Sequence, residues 1–266
     1  MQPDHSIGIF DSGIGGLTVF QEVAEQLPSE NLIYLGDTAR VPYGSKSAET
    51  VKRYALENVQ FLMQQKVKMA VVACNTASAF ALSELEKKFP IPILGVIEPG
   101  VKGALRVSKQ KRIGVIGTEG TIRSGAYAHL LRMLEPSAQV ISISCPLFVP
   151  LVEEGWLEGE IVEKIAKRYF QKMLKAKIDT LILGCTHYPL LKKTLRKVMG
   201  RSVTLIDSAE EITKTISSIL QREGLARSDK KQGRRQFFVT DSVERFQRIG
   251  SVFLKETLMD VKHVEI

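Results

Sequence analysis

Cysteine is scarce: the 266-residue chain carries only Cys74, Cys145 and Cys185. Three thiols cannot all pair and no Cys-x-x-Cys repeat is present, so neither a secreted disulfide framework nor a structural zinc site is expected. Free thiols are the expectation. Long apolar runs are missing too; nothing approaches the roughly 18 residues that a membrane-spanning helix needs. The opening Met-Gln-Pro-Asp-His has no basic segment leading into an apolar stretch, so a soluble, cytoplasmic protein without a membrane partner is expected. Gly-x-Gly-x-x-Gly and Gly-Lys-Ser/Thr are both absent, which removes the usual signatures of dinucleotide and nucleoside triphosphate sites. No pyridoxal-lysine motif or cluster of metal ligands stands out, and no cofactor or metal is expected.

What is present is an ordinary globular composition, 44% hydrophobic and 25% charged, long enough for one large domain or two smaller ones. The net charge is +8, densest at 227–235, where Arg227, Lys230, Lys231 and Arg234 accompany Asp229 and Gly233. No aromatic side chains interleave to stack on bases, so this run reads as an exposed loop or the approach to a strand. Nucleic acid is not an expected partner.

Hydrophobic runs of four to six residues alternate with helical patterns. Strands are expected at 6–10, 32–36, 69–73 and 91–96, with helices at 17–27, 48–65 and 77–89. The pattern restarts with a strand at 112–118 and a helix at 122–134, then strands at 140–144, 180–183 and 203–206 with helices near 160–174 and 190–198. Alternation of this kind indicates parallel sheets. The two halves also match in their motifs. Ala-Val-Val-Ala-Cys74-Asn75-Thr76 and Leu-Ile-Leu-Gly-Cys185-Thr186-His187 each end an apolar run in a cysteine, and Cys74 follows Ser12 by 62 residues while Cys185 follows Thr118 by 67. The expected fold is therefore α/β, with two pseudo-symmetric parallel-sheet domains and a site in the cleft between them. Residues 98–206 form the second domain; 1–97 form the first, joined by 207–266, whose helix to about 220, strand at 236–239 and helix at 243–254 fold back onto it.

Ligands of open α/β sheets bind beyond the carboxyl ends of strands, where both thiols fall. Either cysteine alone could be a small buried hydrophobe; equivalent placement in two halves points instead to shared chemistry. Cys145, in Ser-Ile-Ser-Cys-Pro, has no counterpart and reads as structural. Asp11-Ser12-Gly13-Ile14-Gly15-Gly16 could cradle an anion through backbone N–H groups, or could be a helix cap and turn. His187, two residues beyond Cys185, could polarise that thiol or be structural. Glu153 and Glu154 could be solvated acids at a helix end. The 41–45 loop, with Pro42, Tyr43, Gly44 and Ser45, offers N–H groups and a hydroxyl, or simply a cap.

Together, Asp11-Ser12-Gly13-Ile-Gly15-Gly16, Pro42-Tyr43-Gly44-Ser45, Ala-Cys74-Asn75-Thr76-Ala, the Glu153 segment and Gly184-Cys185-Thr186-His187-Tyr-Pro closely resemble the bacterial glutamate racemases, in order and over nearly the whole chain. The resemblance implies a cofactor-independent isomerase interconverting L- and D-glutamate for peptidoglycan synthesis, acting as a homodimer. It assigns Cys74 and Cys185 as the acid/base pair on opposite faces of Cα, Asp11 and His187 as assisting groups, and Glu153 as an accessory acid. It makes Ser12, Pro42, Tyr43, Gly44, Ser45, Asn75, Thr76, Thr118, Thr121 and Thr186 the ligand shell. The chemistry suits the residues, since racemisation needs a base on one face of Cα and an acid on the other. Three other readings stay open: a racemase of another acidic amino acid such as aspartate, a non-catalytic acidic-ligand binding protein, and a cysteine hydrolase using Cys185 and His187.

Overall fold

A computed structural model describes residues 2–229, 231–254 and 258–266; Lys230 of the basic run lies outside them. The chain begins β1 (Ile7–Asp11), α1 (Leu17–Gln26), β2 (Leu32–Gly36), α2 (Ala48–Gln64), β3 (Met69–Val72), α3 (Asn75–Lys88), β4 (Ile93–Gly95) and α4 (Ile97–Val107). A second series follows: β5 (Arg112–Gly117), α5 (Glu119–Ser124), α6 (Ala126–Leu134), β6 (Gln139–Ser144), α7 (Phe148–Glu153), α8 (Glu160–Lys175), β7 (Thr180–Gly184), α9 (Lys192–Met199) and β8 (Thr204–Asp207). The return comprises α10 (Ser208–Arg222), β9 (Arg235–Val239), α11 (Val243–Leu254) and β10 (Val261–His263).

Two wholly parallel sheets result, ordered β10-β9-β2-β1-β3-β4 and β6-β5-β7-β8. Every residue of β1, β2, β3 and β7 is buried, as strands covered by helices on both faces must be. The covering helices bury one stripe each; in α8 this is Val162, Ala166, Phe170 and Met173. Within the two series the order β2-β1-β3-β4 is repeated as β6-β5-β7-β8. In each sheet the chain leaves the central strand, β1 or β5, first to one side and then to the other. That reversal opens a crevice at the carboxyl ends of the strands.

Beyond α10 the chain returns to the first sheet, where β9 pairs with β2. A buried ion pair helps hold it there: Lys68 Nζ, 2.5 Å from Glu30 Oε2, also donates to the carbonyl of Leu225, and Glu30 Oε1 accepts the Arg227 amide. Of the two readings of the basic run, exposed loop or approach to a strand, the structure has the second, leading into β9. Arg227, instead of lying in solvent, is 15% exposed and bonds the Ser29 carbonyl and Asp229, so the segment leading to β9 is pinned. Three differences are local. The helix expected at 122–134 is two helices, because Gly125 turns left-handed at φ 69°. The short β10 and helix α4 carry no clear sequence pattern; in α4, Pro99, Gly100 and Gly103 lower the intrinsic helix propensity.

Candidate active site

The ends of β1, β3, β5 and β7 converge on one cavity of about 50 Å³. Ser12, the 42–44 backbone, Cys74, Asn75 and Thr76 line it from the first sheet; Thr118, Glu153, Cys185, Thr186 and His187 line it from the second. Val41 and Val149 add apolar wall. Both thiols are free and nearly closed off, at 5% and 6% exposure.

Cys74 sits at the N-cap of α3 and donates to Ser12 Oγ at 3.6 Å. Burial, then the Asp11 carboxylate, push its pKa up to about 12, against the opposing effects of the Ala77 N–H and Ser12. Asp11 ends β1 and lies beneath the cavity wall. Its Oδ1 accepts the Gly13 amide at 3.0 Å and its Oδ2 accepts from the Thr186 hydroxyl at 3.3 Å. Burial raises the Asp11 pKa, with His187 the chief opposing influence. The glycine loop is thus neither a side-chain helix cap nor an open anion cradle. Gly16, not Asp11 or Ser12, is the N-cap of α1, and no side chain caps it. Gly15 serves close approach instead: a Cβ there would overlap His187 Nδ1 and Thr186 Oγ1 of the other lobe.

Around Cys185 the chemistry is reversed. Its Sγ lies 3.8 Å from His187 Nδ1, and His187 Nε2 lies 3.2 Å from Glu153 Oε1. Burial opposes charging of the imidazole, but Cys185, Glu153 and Asp11 outweigh it and push the His187 pKa up to about 10. The hydrogen bond from His187 in turn holds Glu153 below the usual carboxylate range. At neutral pH the ring is therefore an imidazolium, with one N–H toward Cys185 and the other toward Glu153. The ring stands edge-on to Phe253, and the far oxygen of Glu153 meets Arg245 at 3.2 Å.

Thr76, Thr118 and Thr121 join their hydroxyls across the lobes at 2.8 to 3.0 Å. Thr121 lies behind Thr76 and Thr118 and does not line the cavity. Ser45 is exposed, directs its hydroxyl back to the Pro42 carbonyl at 3.5 Å, and likewise stands outside the lining. Tyr43 contributes backbone, for its phenol is buried away from the site and donates to Asp37, with Asn58 donating to it at 3.0 Å. Of the two adjacent acids, Glu153 faces the cavity and Glu154 lines only an outer cleft. Arg245 and Phe253 were not foreseen; α11 reads as an amphipathic helix, but nothing in its sequence identifies the histidine and glutamate it meets. Among the described residues no three His, Cys, Asp or Glu side chains converge in a way that could hold a metal ion.

Residues 7–216 match the Asp/Glu/Hydantoin racemase family. The chain is 50% identical over 264 residues to a glutamate racemase from Geobacter metallireducens, covering 99% of this chain and 98% of that one. Its fold superposes on the crystal structure of glutamate racemase isoform RacE1 from Bacillus anthracis with a TM-score of 0.96 at 42% identity, covering 100% and 99% of the two chains. The glutamate racemase of Francisella tularensis, solved with D-glutamate, gives a TM-score of 0.92 at 39% identity over 99% and 98%. The chain belongs to the Asp/Glu/Hydantoin racemase family, among its glutamate racemases.

Proposed function

We propose that this protein interconverts L- and D-glutamate by proton transfer between two thiols on opposite faces of Cα. The observation that carries the reading is the placement of Cys74 and Cys185 after topologically equivalent strands, on one shared cavity. One cysteine removes the Cα proton as a thiolate while the other delivers a proton to the opposite face as a thiol. In the resting site the imidazolium stands beside Cys185, and Asp11 beside Cys74 favours the neutral thiol. The reverse reaction starts from the opposite protonation state.

The carbanionic charge formed at Cα delocalises into the α-carboxylate. Asn75, Thr76, Thr186 and the free N–H groups at the start of α3 are the donors available to hold it, and one preorganised donor is worth about 3 kcal/mol. Enclosure strengthens these interactions by excluding water. Ser12 supplies an acceptor for the substrate ammonium and Asp11, behind the wall, a negative charge; the Tyr43 and Gly44 N–H groups and the Thr118 hydroxyl supply donors for its side-chain carboxylate. No cofactor enters this scheme.

The two sheets support a division into a domain of residues 1–97 with 207–266 and a second of residues 98–206. The family resemblance supports a cytoplasmic homodimer that supplies D-glutamate for peptidoglycan. A circular-dichroism assay with D-glutamate, D-aspartate and no added cofactor tests the activity. Loss of optical activity with glutamate is expected. Turnover of aspartate alone, or binding of glutamate without racemisation, would overturn the assignment.

A further inference from the structure

One buried side chain outside the cavity touches both thiol-bearing segments. Tyr127, on α6 and 2% exposed, donates its hydroxyl to Asn75 Oδ1 at 2.6 Å, one residue beyond Cys74. Its ring packs against Gly184, the residue before Cys185; a Cβ at Gly184 would lie 3.1 Å from Tyr127 Cε2. Its hydroxyl also meets Ser208 Oγ at 3.3 Å, at the first residue of α10, where the chain leaves the second sheet. Asn75 Nδ2 is buried without a hydrogen-bond partner among the described residues, although Asn75 lines the cavity. A buried amide donor left unpaired in this way is destabilising unless a ligand satisfies it.

An asparagine amide can face either way, and the choice decides what a substrate carboxylate meets. If Nδ2 pointed at the phenol, Oδ1 would face the cavity and repel an anion. A phenol has a single proton. Given to Oδ1, that proton turns the two N–H donors of Nδ2 toward the cavity, while Ser208, whose hydroxyl also reaches the Leu183 carbonyl at 3.4 Å, lies 3.3 Å from the phenol oxygen. Burial raises the Tyr127 pKa, so the proton remains in place across the working pH range.

We propose that Tyr127 is a positioning residue for racemisation: its hydroxyl fixes the Asn75 amide with the NH2 toward the substrate carboxylate, while its ring sets the spacing between the Cys74 and Cys185 segments. This rests on the racemase reading for the identity of the ligand. Tyr127 touches no reacting atom, and acts through Asn75 on one side and Gly184 on the other.

The test is a double-mutant cycle on Tyr127→Phe and Asn75→Ala. It is read in two ways: as calorimetric affinity for glutarate, a dicarboxylate with no stereocentre to invert, and as kcat and KM for both glutamate enantiomers. Tyr127→Phe keeps the ring and removes one oxygen, so the melting temperature checks that the fold persists. The variant is expected to weaken glutarate binding and raise KM about tenfold, the order of a single hydrogen bond to a charged group, with a smaller change in kcat. In the Asn75→Ala background the same substitution should change affinity less than about twofold, because the amide it orients is gone. Equal effects in both backgrounds, or unchanged affinity in the single variant, would overturn the proposal. Coupled glutarate affinities together with no racemisation by the wild-type protein would overturn the racemase reading while leaving the Tyr127–Asn75 coupling standing.

Discussion

The two sheets share one strand order and differ in what they hang at equivalent strand ends. Where β1 closes on Asp11, β5 closes on Gly117; where Cys74 is followed by Asn75 and Thr76, Cys185 is followed by Thr186 and His187. The first thiol therefore faces a buried carboxylate and the second an imidazolium backed by Glu153. Backbone symmetry places two sulfurs toward one ligand; side-chain asymmetry gives them neighbours of opposite charge. A one-proton relay across a stereocentre requires both, because two thiols or two thiolates could not start it.

The comparison can be broken most severely at Gly15, where the lobes touch. Gly15→Ala forces a methyl group into His187 and Thr186, and should lower kcat/KM about 100-fold, the order expected when reacting groups are displaced by about an ångström. Near-normal kinetics would show that this approach does not set the site. Next in size is the charge difference itself. The thiols are equally accessible, at 5% and 6% exposure, so alkylation by iodoacetamide compares their thiolate populations. Cys74, with its pKa pushed up to about 12, should resist labelling at pH 8 and react only as the pH is raised, whereas Cys185 beside its imidazolium labels first. Asp11→Asn removes the largest cause after burial that raises the Cys74 pKa, and should move the onset of its labelling to lower pH. Peptide mass mapping reads both, and identical labelling profiles would contradict the assigned asymmetry. The smallest effect is expected at Arg245, whose ion pair with Glu153 is 56% exposed on the arginine side. Such a pair is screened, so Arg245→Ala should change kcat less than about fivefold and Arg245→Lys less still; a larger loss would make the arginine an integral part of the His187 relay.

Much of this was legible because it is local. Strand ends, the residues just beyond them, and repetition of the pattern in two halves locate Asp11, Cys74, Cys185 and His187 without tertiary knowledge. What was not legible depends on partners distant in sequence. Asn75 is oriented by a tyrosine 52 residues away, and Glu153 meets an arginine 92 residues away. Gly15 reads in sequence only as part of a loop that could cradle an anion or begin a helix; the opposing His187 shows why only glycine fits. Ser45 and Thr121 share motifs with lining residues but turn from the cavity, since their hydroxyls bond Pro42 and the neighbouring threonines. Motif membership locates a segment; hydrogen bonding decides which of its side chains reach the ligand.

The central claim is that each thiol serves one face of Cα. Cys74→Ser and Cys185→Ser should each lower racemisation by roughly 1,000-fold, the order of general acid–base catalysis by one group. The direct measurement is Cα–H exchange in deuterated water, followed by NMR for each glutamate enantiomer with each variant. The remaining thiol can reach only the hydrogen on its own face, so each variant should exchange one enantiomer with retention, and the two variants should choose opposite enantiomers. Exchange of the same enantiomer by both, or racemisation by either at the wild-type rate, would contradict the account.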